Sequence, residues 1–568
     1  MDAFARIEHR YLELISQNPN ACVELGLAQR LGDLPDPSLA AQQRSADLAE
    51  LLLEAIAELG DPADFDQLQD LELMRLTAEQ IRFQHDLHVD GQLNLTRLPK
   101  AGYEISSGIF LLVISDPRPA DDRLDDILSR LQQVPTYLQA LLGRLDTPVQ
   151  RWVEIEIETL QGLPEFFATI IDWASEQQYP QLTALKRAVV QADDAIERYT
   201  LQLRALPTTP TFAIGAKQAA QLVKLNGIEQ SLDEIHQFAC DFVQRTRAEL
   251  ETLRQTLNAR YQLAEDTSVE QLQQYLNKRF AVDVPQGDLP AVIRRYQREA
   301  DKIAGFIQAR DLFPIPADQS MNIMQTPGFM APMIPAGAMM QPAALRAGTK
   351  TSQIYLTLSE SLLDEHTELG IPVMMVHEGI PGHHLQLATA CLNASVVRRV
   401  FPAMELAEGW TTMLEDYMLD QDLMGELTDE GRFIAKLDIS RISARVAIDL
   451  YFMTGEKRYL QIGYDVASDS DDPFDNASRL LKTVTGFTDG RVQAELNWYS
   501  QERGYPMCYL LGNTLVWQLK RDFVAAHPDM SADAQDKAFH RHFLAAGNMP
   551  MAMLRQRFEQ LGLLSVNT

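Results

Sequence analysis

The sequence predicts a mainly α-helical protein with a small β-sheet. Apolar residues in the first half recur at intervals of three and four, which places them on one face of successive helices. By contrast, Ser352–Leu358 alternates in polarity and is rich in β-branched residues, a pattern typical of a strand. The chain of 568 residues is also long enough for more than one hydrophobic core.

Three parts are expected along the chain. Residues 1–312 form an N-terminal helical domain, although the apolar stretch from 105 to 115 fits a strand as well as a buried helix. Residues 313–348 are rich in Pro and Met and are expected to form an irregular connecting segment. Residues 349–568 form a second domain, in which helices resume at Pro372 and continue to about Asp420.

The composition excludes several classes of partner. The formal net charge of -29 argues against nucleic acid, whose binding relies on Lys and Arg. The 4 Cys are far apart without a C-x-x-C pair, so neither disulfides nor a thiolate zinc site is expected. The N-terminus lacks a signal-peptide core and no run of about 18 apolar residues occurs, which predicts no membrane partner and a cytoplasmic location. The oligomeric state is not indicated.

The most informative segment is 377–386, which reads His-Glu-Gly-Ile-Pro-Gly-His-His-Leu-Gln. A hydrolytic zinc site takes three protein ligands, mostly imidazole nitrogens and carboxylate oxygens, and leaves one position open. Four of the 11 His in the chain fall close together around this segment: His366, His377, His383 and His384. This clustering beside an acidic helix predicts a metal site.

The spacing of these His departs from the usual H-E-x-x-H pattern, in which two His lie four residues apart on one helix face. Four residues after His377 stands Pro381, which cannot bind metal. On a regular helix His383 would lie ~240° around the axis and His384 ~10 Å along it. Pro381 and Gly382 permit a deformed helix, and looping out two residues would bring His383 into place. His383 is therefore preferred to His384 as the second ligand.

Glu378 is predicted to be the general base, because it lies beside the first ligand and could move a proton from the attacking water to the leaving amine. The third ligand must come from elsewhere in the chain. Glu408, in a second helix, is the best candidate, and Glu405 and Glu415 are the alternatives.

The segment 377–386, followed by Glu408-Gly409-Trp410, resembles the bacterial family known as the domain of unknown function 885. Its members resemble zinc peptidases of the gluzincin type, which use two His and a downstream Glu. The resemblance implies a zincin-like (gluzincin) architecture in which residues 349–568 are the catalytic domain and a small sheet borders the cleft. It also implies zinc as cofactor, Glu378 as base and three ligands: His377, His383 and Glu408.

The resemblance continues downstream. Arg445 and Asp449 match an Arg-x-x-x-Asp helix, and a later segment is similar at five positions: Glu495, Tyr499, Gly504, Tyr509 and Gly512. The chain departs from the family pattern at four others: Met453, Trp498, Arg503 and Tyr505.

Three further residues are expected to contact substrate. The resemblance places the late segment over the cleft, so Tyr509, or else Tyr505, is predicted to stabilise the oxyanion. Arg445 could bind a substrate carboxylate or could pair with Asp449 one turn later. Tyr355 lies on the predicted strand, which in a zincin borders the cleft and adds an extended peptide to the sheet edge.

These observations predict a zinc-dependent metallopeptidase that hydrolyses short peptides. A zinc hydrolase of a non-peptide amide would use the same metal and base. A catalytically silent protein that binds peptides or partners is the third alternative, favoured by the four departures from the family pattern.

Overall fold

The computed structural model describes residues 2–62, 64–284, 288–326, 337–358 and 366–564. These residues are mostly helical, which confirms the predicted mainly α class. The helices of the first half are α1 (Ala3–Ile15), α2 (Pro19–Leu25), α3 (Leu39–Leu59), α4 (Phe65–Asp86), α5 (Ala101–Ile114), α6 (Ala120–Arg144), α7 (Gln150–Glu176), α8 (Leu182–Ala205), α9 (Ala216–Leu225), α10 (Leu232–Arg260), α11 (Val269–Arg279) and α12 (Leu289–Arg310).

The helices of the second half are shorter on average and include those that carry the His-rich segment. They are α13 (Gly370–Glu378), α14 (His383–Ala390), α15 (Val396–Val400), α16 (Met404–Asp420), α17 (Thr428–Ile439), α18 (Arg441–Thr454), α19 (Pro473–Thr485), α20 (Asp489–Gln501), α21 (Cys508–Ala526), α22 (Ala532–Ala545) and α23 (Met551–Gln560).

Local sequence signals account for many helix ends. Ser231 caps α10 and forms a reciprocal capping box with Glu234. The segment from 105 to 115, which periodicity left undecided, lies almost entirely in helix α5. Its residues Ile105, Ile109 and Leu112 are fully buried among other helices. Because α5 is apolar on most sides, its sequence lacks the amphipathic period that identifies a surface helix.

Strands are few. A short hairpin pairs β1 (His88–Val89) with β2 (Gln92–Leu93). A three-stranded sheet is formed by β3 (Gln319–Gln325), β4 (Gly337–Met340) and β5 (Lys350–Leu356), in the order β3-β5-β4. The prediction of an irregular segment at 313–348 is therefore wrong for β3 and β4, because both acquire regular structure by hydrogen bonding to β5. Residues 327–336 of that segment lie outside the described ranges.

The strand predicted at Ser352–Leu358 exists as β5, two residues earlier, but its predicted edge position is wrong. β3 pairs with one side of β5 in parallel and β4 pairs with the other side antiparallel, so β5 cannot accept a further strand. Tyr355 is 2% exposed and packs into the core formed by α5 to α8. Ile354 points to the opposite face, as successive strand residues do. Tyr355 is thus a core residue, and β4 is an edge of the described sheet.

Among the described residues, four hydrophobic clusters stabilise the fold, and one of them is the core formed by α5 to α8. The largest joins α1, α3, α4 and α12 of the first half to α13, α16 and α21 to α23 of the second half. A second combines α9 and α10 with α18 to α20, and a smaller one combines the end of α10 with α11 and α17. Apolar contacts thus connect the two halves extensively, while the predicted domain boundaries at 1–312, 313–348 and 349–568 stay a prediction.

Helices α16 and α21 cross in direct backbone contact. A Cβ atom at Gly512 would lie 1.9 Å from the carbonyl oxygen of Glu405, and one at Gly409 would lie 2.3 Å from the carbonyl carbon of Gly512. No other residue type fits either position without moving a helix. This crossing matters for the site, because α16 carries Glu408 and α21 carries Tyr509.

We expect Gly512→Ala to lower the midpoint of thermal unfolding, because the added methyl group forces α16 and α21 apart. Overpacking of this kind typically costs about 1–3 kcal/mol. The matched control is Gly162→Ala in α7, where nothing lies within 4 Å of the added Cβ atom. That change should be neutral or stabilising by up to ~1 kcal/mol, since Ala favours a helix over Gly. Equal midpoints for both variants in calorimetry would contradict the close crossing.

Candidate functional site

The His-rich segment is divided between two helices. α13 ends at Glu378 and α14 begins at His383, and residues 379–382, which include a cis Ile380–Pro381 peptide bond, lie between them. A Cβ atom at Gly382 would lie 1.9 Å from the carbonyl oxygen of His377, so only Gly fits there. The indole Nε1 of Trp410 donates to the carbonyl oxygen of Pro381 at 2.9 Å and fastens this connection to α16.

The predicted helices from Pro372 to about Asp420 are present, but the prediction of a single deformed helix with two residues looped out between His377 and His383 is wrong. Four residues separate α13 from α14, and α15 and α16 follow as separate helices. The physical reason is that Pro381 has no N–H group to donate to the carbonyl oxygen of His377, so the helical hydrogen-bond ladder is interrupted there.

The break brings three side chains together: His377, His383 and Glu408. One ligand atom from each lies within 4.8 Å of the other two. The Nε2 atom of His383 is 3.3 Å from Oε2 of Glu408, and the Nε2 atom of His377 is 3.8 Å from the same oxygen. The two imidazole rings are nearly perpendicular, at 85°, with centroids 4.9 Å apart. We refer to these three residues as the His-His-Glu cluster.

Glu415 orients His377 by contacting the ring nitrogen that does not face Glu408. The Nδ1 atom of His377 lies 2.7 Å from Oε1 of the buried Glu415, which leaves Nε2 directed at Glu408. Glu415 was predicted as an alternative ligand, but it lies outside the His-His-Glu cluster. It follows Glu408 by seven residues, two helical turns, and so shares its face of α16. A Glu seven residues after a candidate ligand on the same helix could therefore have been recognised from the sequence as a residue that orients a neighbouring ligand.

Tyr505 orients the carboxylate. Its hydroxyl donates to Oε1 of Glu408 at 2.8 Å, while Oε2 is buried and has no hydrogen-bond partner. Burial by itself would raise the pKa of Glu408, but the nearby imidazole of His383 lowers it to about 2. Burial would lower the pKa of His377, but the hydrogen bond to Glu415 and the charge of Glu378 raise it to about 9. The pocket thus favours positive charge beside Glu408.

The other two alternative ligands, His384 and Glu405, also lie outside the His-His-Glu cluster. The Nδ1 atom of His384 is 2.8 Å from the hydroxyl of Ser352, and its Nε2 atom is 2.5 Å from Oε1 of Gln319. Both ring nitrogens are therefore occupied, and burial lowers the pKa of this His to about 4. Glu405 instead accepts the backbone N–H of Met551 at 3.1 Å. Successive residues on a new helix point in different directions, which separates His384 from His383.

Glu378 is the last residue of α13, directly after His377, and its side chain is partly exposed. Its charge is one of those that raise the pKa of His377, so the carboxylate lies near the His-His-Glu cluster. It is not a member of that cluster. Glu378 is thus partly accessible to solvent and follows one of the three converging residues directly in the chain.

Arg445 is held in an ionic and aromatic network. Its Nε donates to the hydroxyl of Tyr499 at 3.0 Å and its Nη2 to Glu495 at 3.1 Å. The alternative pairing with Asp449 is wrong, because the two Asp449 oxygens accept backbone N–H groups of the segment between α20 and α21. The guanidinium carbon lies 4.3 Å from the centroid of the Tyr509 ring. The sequence suggested Asp449 because it lies one helical turn after Arg445. The carboxylate instead comes from Glu495 in α20, a contact between helices that spacing within one helix does not indicate.

Aromatic rings connect this network to Glu408. The Tyr509 ring meets the Tyr505 ring at 87° with centroids 5.9 Å apart, and Trp498 lies 5.1 Å from Tyr505 on another side. Tyr505, the second choice for the oxyanion donor, is thus the tyrosine bonded to Glu408. Two of the departures from the family pattern, Trp498 and Tyr505, lie at the site. A third, Met453, is buried, and its carbonyl oxygen accepts two N–H groups from the segment before α9.

Two solved structures share this fold over nearly the whole chain. One is described as "a putative lipoprotein of unknown function" from Shewanella oneidensis, with 16% identity, a TM-score of 0.75 and coverage of 98% of this chain and 100% of that one. The other is described as "the putative lipoprotein" from Colwellia psychrerythraea, with 18% identity, a TM-score of 0.78 and coverage of 99% of both chains. None of the curated proteins matches the sequence.

These descriptions contradict the predicted cytoplasmic location, because the two structures are described as lipoproteins. The sequence argument failed because it rested on the composition of the N-terminus and on missing apolar runs. Within the described ranges, no helix combines the length and apolar character needed to cross a bilayer.

The family model described as "Bacterial protein of unknown function (DUF885)" matches residues 19–558. The match includes the His-His-Glu cluster, both flanking helices and the segment that carries Tyr505 and Tyr509. The resemblance expected from the sequence is confirmed, and the chain belongs to the DUF885 family of bacterial proteins.

Proposed function

We propose that this protein is a zinc-dependent metallopeptidase that hydrolyses short peptides. The observation that carries the proposal is the convergence of two imidazole nitrogens and one carboxylate oxygen, from separate helices, within 4.8 Å of one another. Structural metal sites usually use four protein ligands, whereas catalytic zinc sites use three and leave one position open. A set of two His and one Glu with a free Glu beside it matches the catalytic kind.

The side chains of the His-His-Glu cluster fit zinc in three respects. Tetrahedral bonds of ~2.0–2.1 Å separate neighbouring ligand atoms by about 3.3–3.5 Å, and the separations at Glu408 are 3.3 and 3.8 Å. The Oε2 atom of Glu408 is buried without a hydrogen-bond partner, an unfavourable state that a cation would relieve. Glu415 and Tyr505 each hold one ligand through its other polar atom, as residues around metal ligands commonly do.

The chemistry follows from the positions of the protein's own groups. Bound zinc would polarise a substrate carbonyl and favour ionisation of water at neutral pH. Glu378, beside the cluster and outside it, would take the proton from the attacking water and give it to the leaving amine. Tyr509, whose ring lies between Arg445 and Tyr505, would donate to the oxyanion. Tyr505 is already engaged with Glu408 and would position that ligand.

A peptide is the favoured substrate, because the sheet beside α14 offers a place for an extended chain. His384, next to His383, bonds to Ser352 of β5, so the sheet adjoins the site. β4 is paired on one side by β5 and is an edge of the described sheet. A peptide lying along such an edge would gain backbone hydrogen bonds. The gluzincin relationship expected from the motif is part of the same proposal.

Replacing the proposed base tests the chemistry. We expect Glu378→Gln to abolish peptide hydrolysis while bound zinc stays near one per chain, because the amide cannot accept the proton and Glu378 is not a ligand. Turnover of a peptide library followed by mass spectrometry, together with metal analysis, measures both quantities. Glu426→Gln, at an exposed position of the short 3-10 helix Gly425–Leu427, is the control and should match the wild type. Activity of Glu378→Gln equal to that of the wild type would refute this mechanism.

Adjacent His residues offer a sharper test of the metal site. We expect His383→Gln to lose zinc and His384→Gln to keep it, because only the first His has a nitrogen facing Glu408. Circular dichroism would verify that both variants fold, and zinc titration by calorimetry would compare their affinities. Equal zinc affinity in the two variants would show that the His-His-Glu cluster is not the site.

The two tyrosines should affect different quantities. Tyr505→Phe removes the hydrogen bond to Glu408 and should weaken zinc binding roughly 10–100-fold, as loss of an orienting partner does. Tyr509→Phe should weaken zinc binding less than Tyr505→Phe does, and should lower kcat by about 10²–10³-fold because its hydroxyl is the proposed oxyanion donor. The same panel should include N-acyl amino acids, because turnover of these alone would favour a non-peptide amide hydrolase. No turnover of either class by the zinc-loaded protein would favour a binding protein.

A further inference from the structure

We propose that Arg97 and Arg503 together bind a small inorganic anion of about halide size. This site would lie where the first half of the chain meets the connection between α20 and α21. It is separate from the His-His-Glu cluster and does not depend on the proposed peptidase activity.

Arg97 is a fully buried cation, with 0% of its surface exposed. Its Nη2 donates to the backbone carbonyl of Thr211. Its Nε and Nη1 are buried and have no hydrogen-bond partner. A buried guanidinium that leaves two donors unused is unfavourable, because water no longer solvates them.

Arg503 approaches the same backbone segment from the second half of the chain. Its Nη2 donates to the carbonyl oxygen of Phe212 at 2.7 Å, and Phe212 is the residue after the acceptor of Arg97. The Nε of Arg503 is buried and without a partner. Burial and, next, the charge of Arg97 lower the pKa of Arg503 to about 10. The two guanidinium groups lie near each other because they donate to the carbonyl groups of adjacent residues, Thr211 and Phe212.

The described residues supply no paired carboxylate, although the guanidinium carbon of Arg503 lies 5.2 Å from the centroid of the Trp152 ring. In the part of the chain that the structure describes, neither Arg97 nor Arg503 has a carboxylate within ion-pair distance. Asp449 acts on Arg503 from farther away, but its two oxygens accept the N–H groups of Gly504 and Met507. The exposed Asp90 acts on Arg97, also from beyond that distance. A buried charge without a partner is energetically unfavourable. Binding of an anion would satisfy the three unpartnered N–H groups of Arg97 and Arg503.

The size of the ligand follows from the burial of the donors. The Nε and Nη1 atoms of Arg97 and the Nε of Arg503 are sealed from solvent, which favours a single small ion over a larger organic anion. Bound there, it would join Thr211 and Phe212 of the first half to the segment that leads to Tyr505. The anion would therefore stabilise the position of the tyrosine that bonds to Glu408.

Thermal unfolding in two salts tests the site. Sodium chloride should raise Tm of the wild type in a saturable way, whereas sodium gluconate at equal ionic strength should not, because gluconate is too large to enter. Arg503→Met should abolish the difference between the salts, and should lower Tm less in gluconate than in chloride because it relieves the repulsion. Arg521→Met, an exposed Arg on the same helix as Tyr509, should keep the chloride effect. Equal Tm values for the wild type in both salts would overturn the proposal.

A crystal of the wild-type protein grown in sodium bromide provides a test that needs no variant. An anomalous bromide peak within hydrogen-bond reach of both guanidinium groups is expected. Ordered water without anomalous signal at that position would show that solvent satisfies the donors, and would overturn the proposal.

Discussion

The candidate site depends on the direct backbone contact between α16 and α21. Gly409 and Gly512 allow this contact, since a methyl group on either would meet backbone atoms of the other helix. One of these glycines directly follows Glu408, and the other lies on the turn after Tyr509. The crossing therefore sets the distance at which the tyrosines of α21 and its preceding segment meet the carboxylate of α16.

A second constraint acts on the other side of α16. Trp410 is fully buried and donates to the carbonyl oxygen of Pro381, which attaches the break between α13 and α14 to the same helix. Glu415 holds His377 two turns beyond Glu408. One helix thus supplies a carboxylate for the cluster, an orienting carboxylate and an anchor for the connection between the two His. Because three of these residues lie on α16, a shift of this helix would move several parts of the site at once.

The His-His-Glu cluster and the pair of Arg97 and Arg503 have opposite electrostatic environments. At the His-His-Glu cluster, acidic side chains surround the two imidazoles and raise the pKa of His377, so the environment suits a cation. At Arg97 and Arg503, three buried guanidinium N–H groups have no hydrogen-bond partner, which is the basis of the proposed anion site. The first arrangement supports the proposed hydrolase, and the second connects the halves of the chain close to Tyr505.

The order of residues was sufficient to single out the segment 377–386 and, with the family resemblance, to predict that His377, His383 and Glu408 come together, because His, Glu and a helix-breaking Pro-Gly pair are read from residue type and spacing. It was also sufficient for the helical class and the family. Only the tertiary structure decided that β5 is a central strand, that Tyr355 is a core residue and that Arg445 pairs with Glu495. The physical reason is that periodicity describes one element at a time. Strand neighbours, ion-pair partners and helix crossings are contacts between elements distant in the chain, which residue order alone leaves open.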